Sequence, residues 1–418
     1  MVFCIFYLQY LPLVLFNSCF LKQRFYALDV FRGATVAFMI LVNNPGSWNY
    51  LYPPLDHAKW HGCTPTDLVF PFFLFAVGNA LAFIMPSLQK AGEAAMWKKV
   101  IRRTVLIFCM GLFLNAFPFV RYNADGALEA KRFETLRIMG VLQRIALCYF
   151  FAALIIYYLR FTKTFVIGIM LLMLYWAACL VFGDVGNPFG LSGWFGTAID
   201  KMLLGENHMY HGEGVAFDPE GLASTLPAIV QVVFGYLVGN YVIQKKAPAT
   251  LPGNGSGGGV KFELFPLVAN LFVAAVLLVF TGLCWNGIFP INKKIWTGSY
   301  VVYTSGLAIV VLAMLIYVIE INNRRGKWAG FFDVFGKNAL FIFLLSGIWA
   351  RLYGLFRIPD GVKEGKTVYK GLGTWMNDHL FASWMGNMNG SLGYAIFHVL
   401  IFWFFAWCLH KKKIYFKV

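Results

Sequence analysis

Ten separate stretches of this chain are apolar for close to the ~20 residues a helix needs to cross the hydrocarbon core of a bilayer. They fall at about residues 27–43, 66–88, 100–118, 138–159, 162–182, 222–243, 264–283, 298–320, 335–356 and 392–410. Inside lipid a spanning segment must satisfy its own backbone hydrogen bonds, so runs of this length fold as helices. The expected fold is therefore an all-α polytopic membrane protein, a bundle of about 10–11 transmembrane helices. The uncertain eleventh is the apolar segment within residues 1–21, either a helix or a leader, although no basic stretch precedes it. Residues 22–418 then form one membrane domain. The Gly-, Pro- and Ser-containing stretch PATLPGNGSGGG (within residues 247–260) reads as a flexible linker between two halves of the bundle. The composition agrees, with 59% hydrophobic and 13% charged residues, well outside the range of soluble domains.

A formal net charge of +16 invites a nucleic-acid partner, but the distribution of charge argues against one. When the connections are assigned alternately to two sides, one side holds 20 basic and 4 acidic residues and the other holds 12 and 13. The excess sits on one side only, which by the positive-inside rule is the cytoplasmic one. The charge therefore sets orientation, and no nucleic acid is required to explain it.

The eight cysteines lie mostly within the spans and form no CxxC pair, so they read as small packing residues. Cys63 and Cys284 are the two the topology leaves near the outer side, where one disulfide is conceivable. Trp194, Trp375 and Trp384 lie in the long outer connections and fit an interfacial aromatic belt better than sugar-stacking platforms.

Charged groups inside spans are costly and draw attention first. Asp29 and Arg32 are spaced i, i+3, on one helix face, where they can neutralise each other. Arg144 and Arg351 have no partner nearby in sequence and would accept carboxylate, phosphate or carbonyl oxygen. Together these four groups could also line the path of a solute transporter, although no internal repeat supports that.

Between the first two spans lies LDHAKWHGCTPTDLVFP, residues 55–71. His57 and His61 have the i, i+4 spacing of zinc ligands on a helix. Pro53, Pro54, Gly62 and Pro65 oppose a helix there, and no third ligand follows at a telling distance, so no metal is expected. Asp67 falls in the first turn of the second span, where it can cap exposed amides. It can equally orient a histidine base. Spacing alone leaves His57 and His61 equal, with Asn43 nearby as a neutral donor.

The string RFYALDVFRGATVAFMILVNNPGSWNYLYPPLDHAKWHGCTPTDLVFPFFLFAVG, followed by RIMGVLQRIALCYF, FDPEGLASTLPAIVQ and FPINKKIWTGSYVVYTSG, closely resembles the heparan-alpha-glucosaminide N-acetyltransferase family. The ordered pattern D-x-F-R-G, V-N, H-A-x-W-x-G-x-T-x-x-D-L-V-F-P and N-K-x-x-W-x-x-S-Y carries the resemblance from about Arg24 to the last helix. It implies transfer of acetyl from cytosolic acetyl-CoA, as co-substrate, to the amino group of a terminal glucosamine across the membrane. The active-site histidine of H-A-x-W falls on His57, leaving His61 unassigned. The V-N asparagine falls on Asn43 and the D-L-V-F-P aspartate on Asp67. Trp60, Asn292 and Lys293 are expected to face an amino-sugar or glycosaminoglycan-end acceptor.

The phosphates of the donor should meet basic groups toward the cytoplasmic face, for which Arg24, Arg32, Arg102 and Arg103 are placed by position. Arg144, deeper, is expected near the pantetheine arm or thioester. A homodimer is implied by the resemblance alone. The lumenal domain of the lysosomal enzymes is not found before Arg24, from which a bacterial inner-membrane member is expected. An acyltransferase of the same type with a different acceptor stands as the alternative within this class.

Overall fold

The computed structural model describes residues 25–123, 126–159, 161–246, 259–363 and 366–416. The expected N-terminal segment, Arg24 and nearly all of the linker lie outside the described residues. Every one of the ten apolar runs is helical. In chain order the main helices are α1 (Tyr26–Asn43), α2 (Val69–Ala91), α3 (Glu93–Ala116), α4 (Val141–Tyr158), α5 (Phe161–Phe182) and α6 (Gly196–Leu204). There follow α7 (Leu222–Lys246), α8 (Gly259–Trp285), α9 (Gly298–Leu315), α10 (Lys327–Lys337), α11 (Ala339–Leu355) and α12 (Asn387–Lys411). Two small antiparallel hairpins, Val120–Tyr122 with Leu128–Ala130 and Arg357–Lys363 with Lys366–Gly371, are the sheet among the described residues.

Among the described residues eight helices are long and apolar enough to cross a membrane, and α10 and α11, bent by 80° at their junction, together have the length and composition of one broken span or a re-entrant loop. The expected count of ten is reduced at α3, whose first half carries Lys98, Lys99, Arg102 and Arg103 beside its apolar second half. This is an integral membrane bundle. α7 is enclosed by its neighbours, whereas α5, α8 and α12 turn large apolar side chains outward, among them Leu174, Phe280 and Phe404. Outward apolar flanks on helices of this length are what lipid, rather than water, would surround.

The centre of the bundle is the packing of α2 on α7. A Cβ on Gly78 would overlap the Val232 carbonyl oxygen, and one on Gly235 would overlap that of Phe75. Small residues there bring the two backbones into contact, the usual route to tight association where the surrounding lipid is as apolar as the side chains. α1 is tied elsewhere, by Arg32, whose Nη2 donates to Asp29 at 2.8 Å and whose Nε donates to the Gly336 carbonyl at 2.8 Å. The i, i+3 pair thus joins α1 to α10.

At the end of the bundle where α1 finishes and α2 begins, called here the His57 face, a second core forms from Tyr175, Cys179, Trp194, Phe217, Phe289 and Ile295. Trp194 is only 2% exposed, which corrects the expectation of an interfacial belt residue. Its indole donates to the Tyr175 hydroxyl at 3.1 Å, and that hydroxyl donates to the Ile295 carbonyl at 2.5 Å. This aromatic core therefore braces the turn before α9. Cys63 and Cys284 are both free thiols, so the conceivable outer disulfide is not formed.

Candidate active site

The 55–68 connection is not helical around its histidines, as its prolines and Gly62 require. Short turns at Pro53–Leu55 and Pro65–Leu68 bracket it. Gly62 holds φ +108°, open to glycine at little cost, and its N–H donates to the Ile291 carbonyl at 2.8 Å. The second turn begins with a capping box: Thr64 is the cap and Asp67 reaches back to it.

Asp67 is 1% exposed and organises the loop. Its Oδ2 accepts from the backbone of Thr64 at 3.0 Å, from the Thr64 hydroxyl at 3.1 Å and from the backbone of Ala58 at 3.1 Å. Its Oδ1 lies 2.6 Å from Nδ1 of His57. A carboxylate ringed by donors is held as an acceptor, and two acceptors would not approach to that distance. Nδ1 therefore carries the proton and donates it, which fixes the tautomer and leaves the Nε2 lone pair as the acceptor of the ring. The His57 side chain is 41% exposed, so this lone pair belongs to a ring with an open side.

The third member comes from the other half of the chain. Lys293 Nζ stands 3.0 Å from Nδ1 and 3.4 Å from Nε2 of His57, and 3.4 Å from Asp67 Oδ1. Burial lowers the Lys293 pKa, against the opposing pull of Asp67 and Glu220, and the net shift is downward. The family resemblance implied that Lys293 faces the sugar, and no local spacing indicated that it meets His57.

Asn292, expected to face the acceptor, is fully buried. Its Oδ1 accepts from the Ile295 backbone at 3.1 Å and its own N–H donates to the Thr297 hydroxyl at 3.0 Å, so it shapes the turn that presents Lys293. Its amide approaches His61 Nδ1 at 3.4 Å, and burial lowers the His61 pKa. Trp60 donates its indole N–H to the Phe189 carbonyl at 2.9 Å and packs on Phe217, which anchors the loop to the aromatic core. Asn43 is exposed at the end of α1 and makes no hydrogen bond among the described residues; the structure does not join it to the histidine.

Beneath the triad, the Tyr300 hydroxyl donates to the Asp67 carbonyl at 2.6 Å, and Tyr300 packs on Trp296. Trp296 in turn lies under Arg144, whose guanidinium carbon is 5.1 Å from the indole centroid. Arg144 is fully buried, donates to the Gly221 carbonyl at 3.1 Å and to the Ser224 hydroxyl, and leaves Nε and Nη1 without partners. The link through Tyr300 was not legible, although both residues stand in W-x-x-S-Y.

The other expected donor-binding arginines are not gathered. Arg32 is bound to Asp29 and Gly336. Arg102 is exposed on α3, and Arg103 lies over the Tyr149 ring at 4.6 Å. Both sit near the opposite end of the bundle.

Beside the site, Arg137 donates to Asp218 at 2.6 and 3.0 Å and to Glu220 at 2.6 Å. Burial alone would depress the Arg137 pKa, but these two carboxylates outweigh it and hold it raised. Burial likewise pushes Glu220 upward, yet Arg137 and Arg144 keep it lowered.

Fold and site together define a polytopic helical membrane protein with a carboxylate-oriented histidine at one end of its bundle. Residues 24–204 match the family model for "Heparan-alpha-glucosaminide N-acetyltransferase, catalytic". The chain is 28% identical over 375 residues to the mouse (Mus musculus) heparan-alpha-glucosaminide N-acetyltransferase, an alignment covering 77% of this chain and 53% of that protein. It is 26% identical over 372 residues to the human (Homo sapiens) enzyme of the same name, covering 78% and 53%. The chain is thus similar to these enzymes and spans about half the length of the curated relatives it matches.

Proposed function

We propose that the protein is a transmembrane N-acetyltransferase that takes acetyl from acetyl-CoA and delivers it to the amino group of a glucosamine-type sugar on the His57 face, the extracytoplasmic side by charge distribution. The matched family supports acyl transfer. The observation that carries the chemistry is the 2.6 Å contact from Nδ1 of His57 to Asp67, which reserves the second ring nitrogen for a substrate proton.

A sugar ammonium must lose a proton before its nitrogen can attack a thioester. That first proton goes to solvent; His57 Nε2 takes the second N–H proton as the C–N bond forms, and the Asp67 carboxylate steadies the imidazolium. The carbonyl electron pair moves onto oxygen, and the oxyanion needs a positive donor. Lys293, at the ring of His57, supplies it. Collapse breaks the C–S bond, and the departing thiolate takes the proton from Nε2, which restores neutral His57. Transfer is direct, without acetyl on the histidine. Nε and Nη1 of Arg144, without hydrogen-bond partners among the described residues, offer three N–H groups to a donor that arrives from the opposite face.

The test is transfer of labelled acetyl from acetyl-CoA to glucosamine by membranes containing the protein. Wild type should produce N-acetylglucosamine and His57→Ala should not, at equal expression. Full activity in that variant would remove His57 from the reaction, and labelling of a hydroxyl product instead would change the acceptor class.

A further inference from the structure

Where α3 ends on the His57 face lies an open cavity of about 260 Å³. Its lining includes Arg121, Lys131, Arg132 and Arg137, with Phe119 and Phe133 as aromatic walls. Arg121 is neutralised by Glu129 at 2.6 Å, and Arg137 by Asp218 and Glu220. Lys131 and Arg132 have no carboxylate partner among the described residues. Lys131 donates once, to the Phe117 carbonyl at 3.1 Å. Its pKa is lowered by burial and by the nearby cations Arg351 and Arg121. The cavity is therefore short of negative charge on the side where the positive-inside rule predicts few cations.

An apolar track leads to it. Ile101, Val105, Cys109 and Phe113 recur every four residues on α3, and all four are exposed. At about 1.5 Å per residue they form a stripe roughly 18 Å long, comparable to an extended acyl chain. The stripe ends at Phe113, whose ring is 5.8 Å from that of Phe119 in the cavity wall. Interfacial cations ordinarily reach out to solvent; here Lys131 lines a cavity whose aromatic wall meets the end of the apolar stripe.

We propose that this cavity holds the phosphate headgroup of an anionic phospholipid, with Lys131 and Arg132 on the phosphate and one acyl chain along the α3 stripe. Charge complementarity selects the headgroup, and the stripe selects an amphiphile over a free anion.

The test uses the full chain in detergent, exposed to phosphatidylglycerol or phosphatidylcholine and examined by native mass spectrometry. Wild type should retain one phosphatidylglycerol after mild delipidation and no phosphatidylcholine. Lys131→Gln/Arg132→Gln should lower that occupancy at least fivefold, and Arg132→Gln alone, at an exposed side chain without a partner, should lower it severalfold with folding undisturbed. Lys98→Gln/Lys99→Gln, near the other end of α3, should leave it unchanged. Equal retention in the Lys131/Arg132 variants, or loss only in the Lys98/Lys99 variant, would overturn the assignment. So would displacement of the lipid by inorganic sulfate or a sulfated disaccharide, which would give the cavity to a soluble anion.

Discussion

Asp67 holds His57 with one carboxylate oxygen, at 2.6 Å from Nδ1, and the loop with the other, which takes donors from Thr64 and Ala58. The same side chain thus orients the base and caps the entry to α2.

These two roles separate experimentally. Asp67→Asn removes the charge that steadies an imidazolium and should lower acetyl transfer on the order of 10²–10⁴-fold, the range a positioned acid–base group supplies. The asparagine oxygen can still accept from Thr64 and Ala58, so stability should fall by less than about 1 kcal/mol. Activity measured in membranes, with a melting temperature on purified protein, distinguishes the two effects. An activity loss no larger than the stability loss accounts for would confine Asp67 to capping.

His57 and His61 make a second contrast. His61 faces the Asn292 amide and is not held by the carboxylate. His61→Ala should keep activity within about tenfold of wild type, against the loss of a general base on the order of 10²-fold or more in His57→Ala. Parallel initial rates at saturating acceptor read this directly, and equal losses would contradict the assignment of the base to His57.

The Arg137 cluster is a stability element. Asp218 is fully buried, and Arg137 bonds both it and Glu220. Arg137→Ala leaves two carboxylates uncompensated and should destabilise the protein by about 3–5 kcal/mol. Thermal or denaturant unfolding of the purified variant checks this, and a change under 1 kcal/mol would mean that water compensates the pair.

Asp200 gives a pH signature. Its Oδ1 accepts from the backbones of Leu222 and Ala223 while Oδ2 has no partner, and burial raises its pKa to about 6. The folded state keeps this proton to higher pH than the unfolded chain, whose carboxyl titrates near the ordinary value of about 4. Below that value the group contributes nothing, and its penalty grows as pH rises to about 6 and is complete above it. Asp200→Asn should flatten that part of the stability–pH curve. An unchanged slope between pH 4 and 6 would show that Asp200 does not generate it.

Much of this was legible in the residues themselves. Hydropathy placed the helices, because a membrane leaves the backbone few other solutions. The prolines and Gly62 correctly denied a helix at the two histidines, and the i, i+3 spacing of Asp29 and Arg32 found their pair. The threonine at 64 followed by the aspartate at 67 is a capping signature visible by eye. Three placements were not accessible in this way. Lys293 meets His57 only through tertiary docking, since no local period relates positions 236 residues apart. Trp194 is buried by an aromatic cluster assembled from several connections, which a loop tryptophan does not announce. Asn292 turned inward because its side chain completes the 292–297 turn, and residue type alone cannot tell such a turn-former from a ligand contact.

The backbone bond from Gly62 to Ile291 and the approach of Lys293 to His57 have a consequence for biogenesis. The histidine loop leaves the ribosome early, yet its charged companion arrives only with the hairpin between α8 and α9. A nascent chain stopped before that hairpin can carry the His57–Asp67 pair into the membrane and still lack the ammonium beside it. The His57–Asp67–Lys293 cluster is completed late in synthesis, when the second half of the bundle docks.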